Sequence, residues 1–166
     1  YKTPVNLTLS ADGSRLYAAC ESSDSLIVIN TATRKVIKEI KVQNQPHGVC
    51  LSTGGALIFV SNRGSDSVTV IDAAQLKVLR HLKVGDEPHG LVTDTEDKKL
   101  YVANAGSNDI SVIDLKTNKE IKRLSGGRGT WDMKRSPDGK SVYVTNNLSH
   151  FVKFREPSRS EVTVID

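Results

Sequence analysis

An all-β fold, a β-propeller assembled from blades about 42 residues long, is predicted by three features of this 166-residue sequence. The first is a set of columns at one fixed spacing. Tyr17, Phe59, Tyr101 and Tyr143 lie 42 residues apart, as do Cys20, Asn62, Asn104 and Asn146, and Gly13, Gly55, Asp97 and Gly139. Self-similarity at such a period marks a repeat architecture, and about 40–45 residues is the length of a propeller blade. The second is that each repeat reads as four short strands. The third is a break in the period: Asn30, Asp72 and Asp114 keep the step of 42, but Asp166 follows 52 residues later. The last repeat therefore carries an insertion of ten residues, placed within 147–161.

The third repeat shows the elements in order. Gly90-Leu91-Val92-Thr93 is a strand, followed by the polar turn Thr95-Glu96-Asp97-Lys98. Leu100-Tyr101-Val102-Ala103, then Ile110-Ser111-Val112-Ile113, then Glu120-Ile121-Lys122-Arg123-Leu124 complete the unit. These runs are rich in β-branched and aromatic residues and are bounded by Gly, Asp, Asn and Ser, which is strand chemistry rather than helix chemistry. The blades are placed at approximately 4–45, 46–87, 88–129 and 130–166, with innermost strands near 5–10, 47–52, 89–94 and 131–136. About four blades are thus present and the last lacks its outer strand, so the single domain 1–166 is expected to be part of a larger ring. The ring would be completed by the rest of a longer polypeptide or by another protein. Between strands, Ser136-Pro137-Asp138-Gly139 suits a tight reversal, because Pro presets φ and Gly accepts φ > 0. Asp114 can cap the turn at Thr117 through its own side chain. The aromatic column is expected to fill the wedges between neighbouring blades.

Composition excludes several classes. Charged residues make up 25% and the net charge is +4, with acids interleaved among the bases. Lysines and arginines of the outer strands, such as Lys38, Arg80 and Lys122, read as guards of exposed strand edges. A clustered basic face for nucleic acid is not expected. No run approaches the roughly 18 apolar residues of a transmembrane helix. Cys20 and Cys50 fit no CxxC or CxxCH pattern and are expected to be free, largely buried thiols. Gly126-Gly127-Arg128-Gly129 lacks the GK[ST] ending of a phosphate loop and reads as a turn between blades.

Leu100-Tyr101-Val102-Ala103-Asn104 and Val142-Tyr143-Val144-Thr145-Asn146, in repeats that also carry a Val-Ile-Asp run, resemble the YVTN β-propeller repeat. That family includes surface-layer and periplasmic proteins and is similar to the propeller of cytochrome d1-type nitrite reductases. The resemblance covers essentially the whole chain. It implies export to the periplasm or cell surface, and it permits a haem or metal at the channel. A propeller fold alone does not fix an activity, because function resides in the site.

Two groups of residues are candidates for that site. Pro46-His47-Gly48 and Pro88-His89-Gly90 recur at 42, and Trp131 takes the equivalent place in the fourth repeat. Innermost strands line a propeller's channel, so His47, His89 and Trp131 should meet at one mouth and bind a ligand there. Two imidazoles and an indole are too few donors for a metal shell, since structural zinc takes four protein ligands and catalytic zinc three. The expectation is no metal and no cofactor within this chain, with any haem or metal shared with a missing segment or a partner. The insertion is the second candidate: His150, Phe151, Lys153, Phe154 and Arg155 mix aromatic and basic groups as partner-binding surfaces do. Two functions follow. One is a non-catalytic scaffold that binds a protein or ligand; the other is the propeller part of a redox or electron-transfer assembly.

Overall fold

The computed structural model describes residues 2–147 and 160–166. Strands β1 (Pro4–Leu9), β2 (Arg15–Cys20), β3 (Ser25–Asn30) and β4 (Val36–Lys41) form the first antiparallel sheet, in that order. The second sheet is β5 (Pro46–Leu51), β6 (Leu57–Asn62), β7 (Ser67–Asp72) and β8 (Lys77–Lys83). The third is β9 (Pro88–Thr93), β10 (Lys99–Asn104), β11 (Asp109–Asp114) and β12 (Lys119–Ser125). The fourth has three strands, β13 (Thr130–Arg135), β14 (Val142–Asn147) and β15 (Ser160–Ile165). The expected blades are present, the last without an outer strand, and each innermost strand begins one residue earlier than the spacing suggested. Gly126–Gly129 is the turn between blades that its sequence implied.

The cores lie between blades rather than within them. Tyr17, Leu26 and Val28 of the first blade pack on Val49, Ile58, Val60 and Ile71 of the second. Phe59, Val68 and Val70 then pack on Leu91, Leu100, Val102 and Ile113 of the third. Tyr101 and Ile110 meet Met133, Val142 and Val144 of the fourth. A strand's side chains alternate between its two faces. Each sheet therefore gives one apolar face to the blade before it and the other to the blade after it. The aromatic column fills these wedges as expected at Tyr17 and Phe59, but Tyr143 is 45% exposed because no described element covers the fourth blade's forward face.

Turn chemistry repeats with the blades. Asn30, Asp72 and Asp114 each accept a backbone N–H three residues on, from Thr33 (2.8 Å), Gln75 (2.7 Å) and Thr117 (2.7 Å). Gly13, Gly55 and Gly139 sit at φ of 69°, 72° and 74°. Asp97 holds the same left-handed place at 53°, and its carboxylate accepts the N–H groups of Thr53 (2.6 Å) and Gly54 (2.8 Å) in the preceding blade. Burial works to raise the Asp97 pKa, but these N–H donors outweigh it and hold the carboxyl below its ordinary value. Arg135 reaches across the same face, donating to Thr53 Oγ1 (3.0 Å) and to the Thr93 carbonyl (2.8 Å). Both cysteines are free; Cys20 is buried and Cys50 half-buried against the interface of the second and third blades.

Candidate functional site at the channel mouth

His47, His89 and Trp131 are the second residues of β5, β9 and β13, and the structure brings them together. The His47 and His89 ring centroids are 4.1 Å apart, His89 and Trp131 are 4.0 Å apart, and His47 and Trp131 are 5.6 Å apart. His89, in the middle, is fully buried, whereas His47 and Trp131 are half-buried. The Gly that follows each histidine explains the close approach. A Cβ on Gly48 would lie 2.2 Å from the His89 carbonyl oxygen, and one on Gly90 would lie 2.6 Å from Asp132 Cα. Only Gly lets neighbouring innermost strands converge this far, and convergence stacks the side chains one position earlier. Ser61 locks the arrangement: its hydroxyl accepts the Gly48 N–H (2.7 Å) and donates to the His89 carbonyl (2.6 Å).

A second layer, which the sequence reasoning missed, lies over the stack. Glu21, Arg63 and Ala105 occupy one column at the second-to-third-strand turns, still at the interval of 42. Arg63 joins Glu21 of the first blade, at 3.4 Å, to Glu87 in the turn that leads from the second blade to the third, at 3.8 Å. Beside it, Asp24, Asp66 and Asn108 accept the N–H of Gln45 (2.9 Å), Glu87 (3.0 Å) and Gly129 (2.7 Å). All six take positive φ, so each turn between blades is pinned to the blade before it. That column was visible as a repeated Asp/Asp/Asn; its partners keep the same interval of 42, but they donate backbone N–H groups under three different residue types, which hid the pairing. Burial lowers the His47 pKa below the ordinary imidazole value; nearby Glu21 opposes this, Arg63 adds to it, and Asp132 opposes it. His47 is therefore a neutral ring at neutral pH.

A cleft of about 350 Å³ opens on this face, lined by Arg63, Glu87, His89, Gly129, Trp131 and Asn147 among others. Its walls combine an indole, an imidazole and one ion pair, which suits a ligand or peptide side chain that is largely apolar with a polar edge. The two imidazoles pack ring against ring at a tilt of 53° rather than converging on a point between them. Among the described residues no group of three or more His, Cys, Asp or Glu is placed to hold a metal ion. The insertion follows β14 in the chain, in place of the four-residue turn that joins β10 to β11. The insertion candidates themselves, His150, Phe151, Lys153, Phe154 and Arg155, lie outside the described residues.

Comparison with known proteins adds a family. A family model described as "Lactonase, 7-bladed beta-propeller" matches residues 30–125, more than half of the chain. Among solved structures, a chain of Kuenenia stuttgartiensis hydrazine synthase superposes with a TM-score of 0.90 at 30% identity, over 99% of this chain and 46% of that one. A functionally unknown protein from Desulfotomaculum acetoxidans DSM 771 gives 0.74 at 15% identity, over 87% of this chain and 49% of its own. U3-55K gives 0.77 at 14%, over 88% and 46%. The last two show the fold alone. The chain spans less than half the length of each of these structures. No curated protein matches it.

Proposed function

This chain belongs to the seven-bladed lactonase-type β-propeller family, and from that premise we propose that it serves as a non-catalytic scaffold that binds a partner protein or ligand at the channel mouth. The observation that carries the reading is the His47–His89–Trp131 stack beneath its cleft. Residues held so tightly, with a glycine beneath and a salt-bridged arginine above, make a preformed surface that loses little entropy on binding. Catalysis is not what this geometry favours. The Ser61 hydroxyl is committed to two backbone partners, and the imidazoles face each other. Family resemblance supports a site of action in the periplasm or at the cell surface. Among the described residues no helix is long and apolar enough to cross a membrane.

A second reading rests on a separate observation. Over nearly its whole length the chain is 30% identical to a chain of an enzyme named for hydrazine synthesis. That likeness favours a propeller built into a redox assembly, with any haem or metal held by other segments or partners. One experiment separates the two readings. The full-length protein is isolated from its source, and its visible spectrum, metal content and associated chains are measured beside a His47→Ala, Trp131→Ala variant. A scaffold brings down a stoichiometric partner chain that the variant loses, with no chromophore in the complex. A Soret band or stoichiometric metal that accompanies the protein through purification would favour the redox reading instead.

A further inference from the structure

The face opposite the His–Trp stack carries a different repeat. In each blade the first strand starts at the channel-mouth face, and successive strands are antiparallel, so the outer strand starts at the opposite face. Lys35, Lys77 and Lys119 stand at those starts, 42 residues apart. Ile37, Leu79 and Ile121 follow two residues later, and Lys38, Arg80 and Lys122 come next. Three successive blades thus present the same corner, a cation, an aliphatic side chain and another cation, at the same height on the disc. The aliphatic groups are not covered: Ile37 is 45% exposed, Leu79 47% and Ile121 54%, with Val36 at 60% beside them.

Guarding a strand edge needs charge but not exposed aliphatic residues. The outer strands carry only two acids, Glu39 and Glu120, and each is already taken up by a basic partner, Lys2 and Arg123 respectively. Asp72 and Asp114 stand across the ladder from Lys77 and Lys119, where their carboxylates accept N–H groups of their own turns. Lys35, Lys38, Lys77, Arg80, Lys119 and Lys122 outnumber these two acids, so the rim keeps a positive potential. Aliphatic side chains flanked by cations match the interface of an anionic bilayer, where the apolar group enters between headgroups and the cations meet phosphate. A nucleic acid would meet arginines and stacking aromatics instead. The corners belong to one face of a disc, so a flat surface can touch several at once.

We infer that this rim is a peripheral docking surface for an anionic phospholipid bilayer, which leaves the channel mouth pointing away from the lipid. The inference does not depend on what the channel mouth binds. The test is co-sedimentation of the full polypeptide with phosphatidylcholine vesicles, with and without about a third of phosphatidylglycerol, at low and high salt. Binding is expected only to the anionic vesicles, and it should weaken at high salt. Lys35→Glu, Lys77→Glu, Lys119→Glu should weaken it by about tenfold or more, because each basic residue near such a surface contributes measurably to attachment. Ile37→Ser, Leu79→Ser, Ile121→Ser keeps the charge and should also weaken it severalfold. Circular dichroism of both triple variants confirms that the fold persists, as their exposed positions imply. Failure to bind anionic vesicles overturns the proposal. So does binding that the serine variant leaves unchanged, or that duplex DNA reproduces at equal strength, since either result marks a generic polyanion surface.

Discussion

The forward faces of the second and fourth blades are built from the same columns and end in opposite conditions. Phe59, Val68 and Val70 are completely enclosed, whereas their counterparts Tyr143, Val162 and Val164 are 45%, 62% and 52% exposed. The residue types are interchangeable and the strands pair in the same register. What differs is the neighbour: the third blade covers one face, and no described element covers the other. Burial in this fold is therefore conferred by the adjoining blade and not by the strand's own sequence. An apolar face of this kind is closed in a repeat fold only by packing against a neighbouring unit.

Four experiments break or sharpen that comparison. Phe59→Ala should cost about 3–5 kcal/mol in chemical denaturation, because a fully packed ring leaves a cavity behind. A loss below about 1 kcal/mol would mean that the blade interface is not close-packed. Gly48→Ala comes next, at about 1–3 kcal/mol, since its Cβ would collide with the His89 carbonyl and push two innermost strands apart. Trp131 is the chain's only tryptophan, so its emission should shift in that variant and would stay fixed if the hub did not move.

Acidification is the third and gentler perturbation. The folded state lowers the His47 pKa, chiefly by burial, while the unfolded chain titrates near the ordinary value of about 6.5. Above that value both states are neutral and stability is fully present. As the pH falls from there through the lower folded value, the unfolded chain takes up a proton more readily and stability declines. Denaturation midpoints measured across this window should drop for the wild type and drop less for His47→Gln; parallel profiles would remove His47 as the cause. Smallest of all is Tyr143→Ala. Within this chain it should change stability by no more than about 0.5 kcal/mol, as an exposed substitution does. In a complete ring the same change should approach the Phe59→Ala cost, and that contrast is the direct measure of what a fifth blade adds.

Much of the architecture was legible because a period survives changes of residue. The column Tyr17, Phe59, Tyr101 and Tyr143 announces a wedge whichever aromatic fills it. His47, His89 and Trp131 could be grouped in the same way, since equivalent positions around an axis must converge at the channel. The Arg63 bridge to Glu21 and Glu87 was not legible. It joins a turn of the first blade, a turn of the second and the connection to the third, whose letters do not repeat, and long-range pairing of that kind leaves no local pattern. The roles of Gly48 and Gly90 were hidden for a related reason: nothing within a single repeat shows that the next strand passes where a Cβ would stand. In the sequence the rim charges read only as guards of separate strand edges. Only the common height of the outer strands gathers them into one band.

Asp97 and Arg135 bear on a hazard that repetition creates. Blades with near-equal faces can mispair, slip by one unit or exchange between molecules while the chain is still collapsing. The Asp97 carboxylate fits the open N–H pair at Thr53 and Gly54, and Arg135 then reaches back two blades to Thr53 and one blade to Thr93. Neither contact has a counterpart in the Gly13, Gly55 and Gly139 turns, which have no side chain with which to grip a neighbour. The pair works as an address written once into an otherwise periodic message. It makes the order of the second, third and fourth blades distinguishable to the folding chain, so that a shuffled ring satisfies every apolar face and still leaves this carboxylate and guanidinium without their partners.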